Sequence, residues 1–162
     1  MNKLNFKKGF SLIELLVVIA IIGILSAVGI TAYSGYTANA KEQAARTQFA
    51  QIVSLVNAEV AKCSLGSGNY AWPGAGTQDT CADGIDAATD TNLATYLGGD
   101  LGMKNPYNNS EAVGTTYAAL ATIADPTTQG HVKITSTAGD NVEIRMLVKT
   151  GTVLSQKITA SN

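Results

Sequence analysis

The hydrophobic pattern changes period twice along the chain, and each regime predicts a different element. From Phe10 to Tyr33 there are 24 residues whose only charged side chain is Glu14. At about 1.5 Å of rise per residue such a run makes a helix of roughly 36 Å, long enough to cross a bilayer. Past Tyr36 the pattern becomes amphipathic. Ala45, Phe49, Ile52, Val53, Val56 and Val60 recur at helical spacing, while Lys41, Glu42, Arg46, Gln48 and Glu59 fall on other faces. Glu42 and Arg46 stand four apart in the favourable order. No breaker separates the two regimes, so one helix is expected to run to about Lys62, roughly 53 residues or 80 Å. Its second half can bury a stripe.

Helix termination is read in Ser64-Leu65-Gly66-Ser67-Gly68, before a loop rich in Gly, Asp and Thr that reaches about Asp90. Thr91 to Gly98 reads as a short capped helix with a glycine stop, and Asn105 to Asn109 as a turn. Period-two alternation then takes over. Val142, Ile144, Met146 and Val148 share one face of a strand, Val132 and Ile134 one face of the strand before it, and Ala138 to Asn141 form the turn between. Leu154, Gln156 and Ile158 mark a third strand, with room for a fourth around Tyr117 to Ile123. The fold class is therefore α+β: an antiparallel meander of three or four strands whose apolar face covers the stripe of the long helix.

Glu14 is the oddity in this picture. Met1 to Gly9 form a short leader with Lys3, Lys7 and Lys8 and no acid, which holds that end on the cytoplasmic side and sends the head outward. A removed secretory signal peptide also starts this way. However, the apolar run exceeds the usual 7 to 15 residues of such peptides, continues into a second helix and carries a carboxylate. A plain one-span anchor has no use for that carboxylate either, since an ionised acid in hydrocarbon costs roughly 2.5 to 3.5 kcal/mol even on the lenient insertion scale. The segment holds no cation to pair with it. Cleavage after Gly9 would create one, the α-amine of Phe10, and a neighbouring copy shifted along the helix axis could bring that amine beside Glu14.

The order Gly9-Phe10-Ser11-Leu12-Ile13-Glu14 behind Lys7-Lys8, followed by the apolar run Leu15 to Leu25, resembles the prepilin signature of type IV pilins and their pseudopilin relatives. It covers roughly the first 40 residues; the rest is similar only in its long-helix-plus-meander layout. The resemblance implies three segments: a leader 1–9 that is removed, a transmembrane and filament-core helix 10–36, and a globular head 37–162. It implies that a membrane prepilin peptidase cuts between Gly9 and Phe10 and N-methylates Phe10, and that Glu14 neutralises the N-terminus of an adjacent subunit. The chain would then be a substrate of that enzyme and not an enzyme. Before assembly it would sit single-pass in the inner membrane with its head in the periplasm. Afterwards it would be a homopolymer in an extracellular pilus, built by inner-membrane assembly machinery and used for adhesion, motility or DNA uptake. The alternative is a pseudopilin of a type II secretion system, against which the lack of an evident calcium-binding C-terminal loop counts. One departure concerns the proline that such pilins usually carry before an Ala-Tyr pair. Here Thr31-Ala32-Tyr33 stands, leaving any local unwinding to Gly23, Gly29 and Gly35.

Composition, with only 14% charged residues, suits an exported surface that is polar without being highly charged. Losing the leader removes three of eleven Lys and Arg and none of the twelve Asp and Glu, a side-chain balance of −4. With no Lys/Arg cluster after Lys8, wholesale nucleic-acid binding is disfavoured. Cys63 and Cys81 are expected to form a disulfide once exported, worth about 3 kcal/mol. Two cysteines and His131 are too few and wrongly spaced for a metal site. Asp79, Asp83, Asp86 and Asp90 do not match the EF-hand pattern and read as a solvated loop. Asn108-Asn109-Ser110 fits a glycosylation triplet but reads better as a surface turn. Tyr33 and Tyr36 mark the end of the apolar run, and His131 and Trp72 stand alone. No nucleophile and base pair, phosphate loop or cofactor motif is present.

Overall fold

The computed structural model describes residues 9–66, 68–73, 78–81, 92–117, 129–137 and 141–159. The chain divides into two compact units, Met1–Ala40 and Lys41–Asn162, and the helix α1, Leu12–Ser64, contributes to both. Its 53 residues equal the length expected from the pattern, displaced by two positions. It ends as expected: Gly66 adopts φ 81 and donates its N–H to the Cys63 carbonyl at 2.9 Å, a left-handed cap that any side chain would strain.

In the first unit every residue from Gly9 to Tyr36 is exposed. Ile13, Ile24 and Ile30 keep 69%, 68% and 70% of their surface, so nothing within this unit holds the helix by burial. The helix is unbroken through Gly23, Gly29 and Gly35. Three hydroxyls in this stretch are turned back on their own backbone. Thr31 donates to the Val28 carbonyl, Ser34 to Thr31 and Thr37 to Ser34, at 2.9, 2.9 and 3.0 Å. Polar side chains bonded in this way can face an apolar solvent.

The second unit is built on the remainder of α1. Ala45, Ile52, Val56 and Val60 are buried, with Phe49 and Val53 packed beside them, which is the stripe read from the sequence. Against it lies a four-stranded sheet in the order β5-β6-β7-β8, formed by Gly114–Tyr117, Val132–Thr137, Asn141–Lys149 and Thr152–Thr159. Strands β6, β7 and β8 are the expected antiparallel meander, with Val142 opposite Ser136 and Ile158, and Ile144 opposite Ile134 and Gln156. Val142, Ile144, Met146 and Val148 are fully buried and form one core with the helix stripe. Smaller pairs precede the sheet: β1 with β2, Asn69–Pro73 and Gln78–Thr80, and β3 with β4, Lys104–Asn105 and Asn108–Ala112.

Four details differ from the pattern. The fourth strand begins earlier than Tyr117 and joins β6 in parallel, with Gly114 opposite Val132 and Tyr117 opposite Ile134; residues 118–123 lie outside the described residues. Sequence alternation shows which residues share a face but not the direction in which a strand enters. Strand β6 is buried on both faces, since Lys133 and Thr135 are as covered as Val132 and Ile134. The stretch read as loop carries the β1–β2 pair, because a short pair of strands is too brief for a period to register. The short helix continues as a π-helical turn, Tyr96–Asp100, that buries Leu97. Thr91 and the turn residues 138–140 also lie outside the described residues.

A polar knot ties the turn after β3 to the sheet. The buried Asn105 accepts the Tyr107 N–H at 2.9 Å and donates to the Gln129 carbonyl at 3.0 Å, while the Tyr107 hydroxyl donates to the Val148 carbonyl. Burial raises the Tyr107 phenol above its ordinary value and keeps it a donor. Gly130 sits over this knot at φ 78, and a Cβ there would lie 2.0 Å from Asn105 Oδ1. On the other face of the sheet Glu143 accepts from Ser155 at 2.7 Å and from Arg145 Nε at 2.9 Å. The Ser155 hydroxyl, with help from Arg145, holds this carboxyl below the usual value.

Candidate functional site

Gly9, Phe10 and Glu14, three of the residues singled out in the sequence, lie together at the start of α1. Gly9, Phe10 and Ser11 precede the helix in non-helical conformation, and all three are exposed, Phe10 at 87%. The peptide bond between Gly9 and Phe10 is thus reachable. Glu14, in the first turn, reaches back so that its Oε2 accepts the Ser11 N–H at 2.8 Å. Within its own segment Glu14 thus takes a neutral partner, a backbone donor left over by the helix start. The S-x-x-E spacing of Ser11 and Glu14, the signature of a capping box, is the signal that reveals it. A carboxylate so placed also complements the positive end of the helix dipole. Chemically, the site presents an exposed Gly9-Phe10 peptide bond, an aromatic residue on its C-terminal side, and an acid one turn further on.

The second feature is covalent. Cys63, in the last turn of α1, and Cys81, just after β2, are joined in a disulfide with a Cα separation of 5.3 Å. The same junction is sewn by the Cys81 N–H donating to the Gly68 carbonyl at 3.2 Å. The bond fastens the β1–β2 pair to the end of the helix.

Other candidates find modest places. Among the described residues no cluster of three or more metal-ligating side chains occurs, and Asp83, Asp86 and Asp90 lie outside them. Asn108 opens β4 just after the turn, and its Oδ1 accepts from the Ser110 hydroxyl at 2.6 Å, so the triplet closes on itself at the surface. Tyr33 and Tyr36 are exposed at 70% and 74%. His131 immediately precedes β6. Trp72 falls in β1, and its side chain lies outside the described residues.

Sequence reasoning also missed a charge group at the start of the second unit. Glu42 Oε1 accepts from Arg46 Nη2 at 2.8 Å and Nε at 3.2 Å, the pair expected from spacing. Lys149, from the end of β7, adds its Nζ at 3.9 Å from the other oxygen. The Arg46 hydrogen bond, with the Arg46 and Lys149 charges behind it, holds the Glu42 carboxyl below its usual value. Lys149 is invisible to any local pattern because only the fold brings it to the helix.

Comparison with known proteins agrees with this geometry. The family model for the prokaryotic N-terminal methylation motif matches residues 4–30, which contain Gly9, Phe10 and Glu14. The chain is 39% identical over 88 residues to a fimbrial protein of Moraxella nonliquefaciens, covering 53% of this chain and 51% of that protein. It is 41% identical over 91 residues to the prepilin peptidase-dependent protein D of Escherichia coli K12, 56% of each. The chain thus spans about half the length of these two relatives. With the type IV major fimbrial protein FimA of Dichelobacter nodosus it shares 33% identity over 144 residues, 85% of this chain and 74% of that protein. No solved structure matches. A methylation motif over the exposed apolar helix start, a long helix on a mainly antiparallel sheet, and a relative matched across most of both chains agree: the chain belongs to the type IV pilin family, whose members are structural proteins and not enzymes.

Proposed function

We propose that this chain is made as a precursor, cut by a prepilin peptidase between Gly9 and Phe10, N-methylated at Phe10, and polymerised through α1 into a type IV pilus. The division into a leader 1–9, a filament-core helix 10–36 and a head 37–162 follows from the same reading. Before assembly, Phe10 to Tyr33 hold the subunit in the inner membrane, with the three leader lysines inside and the head in the periplasm. Assembly machinery in that membrane then moves it into the filament, where helices of like subunits replace the lipid. The carrying observation is a helix start that is apolar and wholly exposed yet holds a carboxylate beside an exposed, non-helical Gly9-Phe10 peptide. Among the described residues this is the one helix long and apolar enough to cross a membrane. The new Phe10 amine supplies the cation that Glu14 lacks within its own segment, and a neighbour's amine reaches it without bending the helix. The relatives' names, fimbrial protein and prepilin peptidase-dependent protein, support this reading.

The test is intact mass and N-terminal sequence of the chain from sheared extracellular filaments, for the wild type, Glu14→Gln and Glu14→Ala. Glutamine keeps an acceptor for the Ser11 N–H but not the charge. The expected result is a mature chain beginning at methylated Phe10, abundant in wild-type filaments and lost from both mutants. Glu14→Gln filaments equal to wild type would show that the cap matters and the charge does not. A chain retained in the membrane with Met1 to Gly9 attached would overturn the processing reading.

A further inference from the structure

The four-stranded sheet ends on a long strand with one side open. Strand β8, Thr152–Thr159, pairs with β7 on one side, and among the described residues no strand pairs with the other. Ser155, Gln156, Lys157 and Thr159 are exposed, so this stretch is uncovered. Protein edges of this kind are usually blunted by proline, by bulges or by charge. Here β8 has no proline and a single charged residue, Lys157. The register shift against β7 falls at Leu147 and Lys149, away from the exposed stretch, and Glu143 stands opposite Lys157 to balance its charge.

The parity of the ladder shows which backbone groups face outward. The Gly130 N–H donates to the Leu147 carbonyl at 2.8 Å, and the Thr135 hydroxyl to the Glu143 carbonyl at 3.4 Å. Odd residues of β7 thus turn their backbone toward β6, which leaves Val142, Ile144 and Met146 to bond Ile158, Gln156 and Leu154 of β8. Val153, Ser155, Lys157 and Thr159 therefore present N–H and C=O to the open side. The chain itself answers one of these groups, since the Gln156 side-chain amide donates to the Lys157 carbonyl at 3.0 Å. The row as a whole is a template for another strand.

The residue order of β8 fits a second copy of itself. Laid antiparallel about Gln156, Val153 faces Thr159 and Ser155 faces Lys157 in both directions, so all four outward residues meet outward residues. Leu154 then meets Ile158, an apolar cross-strand pair, and no lysine faces a lysine. Sliding either way by two residues loses one outward pair and either opposes Lys157 to itself or sets Leu154 against Gln156.

We propose that β8 is a self-pairing edge, at which the β8 strands of two copies join antiparallel about Gln156 and run two sheets into one. Subunits of a head-to-tail polymer are related by a screw and not by a twofold axis, so the contact ties a subunit of one pilus to a subunit of another. One strand pair is small beside a standard interface of ~1,600 Å², but a filament repeats it, and weak contacts add along two pili laid side by side. The edge thus serves lateral association of pili. This rests on the pilus reading above.

The experiment places one added cysteine at a time on the full chain, whose Cys63 and Cys81 are already paired, and follows disulfide-linked dimer under mild oxidation, in detergent and in sheared filaments. In the proposed register the two Gln156 positions form a non-hydrogen-bonded pair with Cα atoms about 4.5 Å apart, within disulfide reach. The two Thr159 positions lie about 20 Å apart along the strands. Gln156→Cys should therefore dimerise at least ~10-fold faster than Thr159→Cys. Adding Lys157→Pro, which removes an outward N–H and no ladder bond, should abolish the difference. Equal rates for the two cysteines, or a Gln156→Cys rate indifferent to Lys157→Pro, would overturn the self-pairing edge. A Gln156→Cys chain linked in filaments to a different protein would overturn it too and assign the edge to that partner. Dimer that forms in detergent but not between filaments would overturn the lateral role. No filaments at all would overturn the pilus reading, and the rates in detergent would still decide the edge.

Discussion

The two halves of α1 share a backbone and differ in what holds them. From Gly9 to Tyr36 nothing is buried, and the sequence is apolar on every side. From Lys41 onward one stripe is sealed in a core and the remaining faces are polar or small. The first half is a helix because a bilayer or a neighbouring apolar surface cannot satisfy a free backbone group, so each N–H and C=O must bond within the segment. The second half is a helix because its stripe is buried by a sheet. Identical secondary structure can therefore have two causes, and they respond to different perturbations.

The sharpest break of the comparison is a pair of truncations. Ile52→Ala should cost the head about 3 kcal/mol through lost burial and a residual cavity. Ile22→Ala should leave head stability unchanged to within about 0.5 kcal/mol, both measured by denaturation of the detergent-solubilised chain. Equal losses would mean that the exposed half supports the head after all. Next in size is the disulfide. Replacing Cys63 and Cys81 together by serine should cost about 3 kcal/mol in the chain-entropy model and somewhat less if the β1–β2 pair stays docked without it. The thermal midpoint with and without reductant reads this, and a midpoint insensitive to reductant in the wild type would contradict it.

A smaller effect tests the turn knot. Gly130→Ala forces a Cβ against Asn105 Oδ1 and strains a positive φ, for an expected loss of about 2 kcal/mol. Hydrogen exchange should rise at the Tyr107 and Gly130 amides and stay unchanged in the first unit. The smallest effect is electrostatic. Glu143 has a depressed folded pKa, so its stabilisation is fully present above the ordinary glutamate value and fades as pH falls through the lower folded value. A thermal midpoint followed from about pH 6 to pH 3 should decline, and Glu143→Gln should flatten part of that decline. Parallel curves for mutant and wild type would show that the Ser155 and Arg145 contacts do not carry it.

Much of this arrangement is legible in the sequence. The long helix could be read because two periodicities run on without a breaker, and the meander because Val142, Ile144, Met146 and Val148 alternate cleanly. The bond from the Ser11 N–H to Glu14 is legible too, since Ser11 and Glu14 have capping-box spacing. The parallel entry of β5 and the arrival of Lys149 beside Glu42 were not legible. Both depend on which distant segments become neighbours, and alternation within one segment carries no such information.

The sequence by itself determined what is local: the length of α1, its glycine stop at Gly66, the buried stripe, and a start where Gly9, Phe10 and Glu14 stand in a methylation motif. The first three follow from steric or hydrophobic rules acting over one or two turns, and the last is a residue order that the family model matches. Tertiary structure alone decided the direction of β5, the double-faced burial of β6, the Asn105 knot beneath Gly130, and the meeting of Lys149 with Glu42. These rest on contacts between segments far apart in sequence, and such contacts are selected by the packing of one common core.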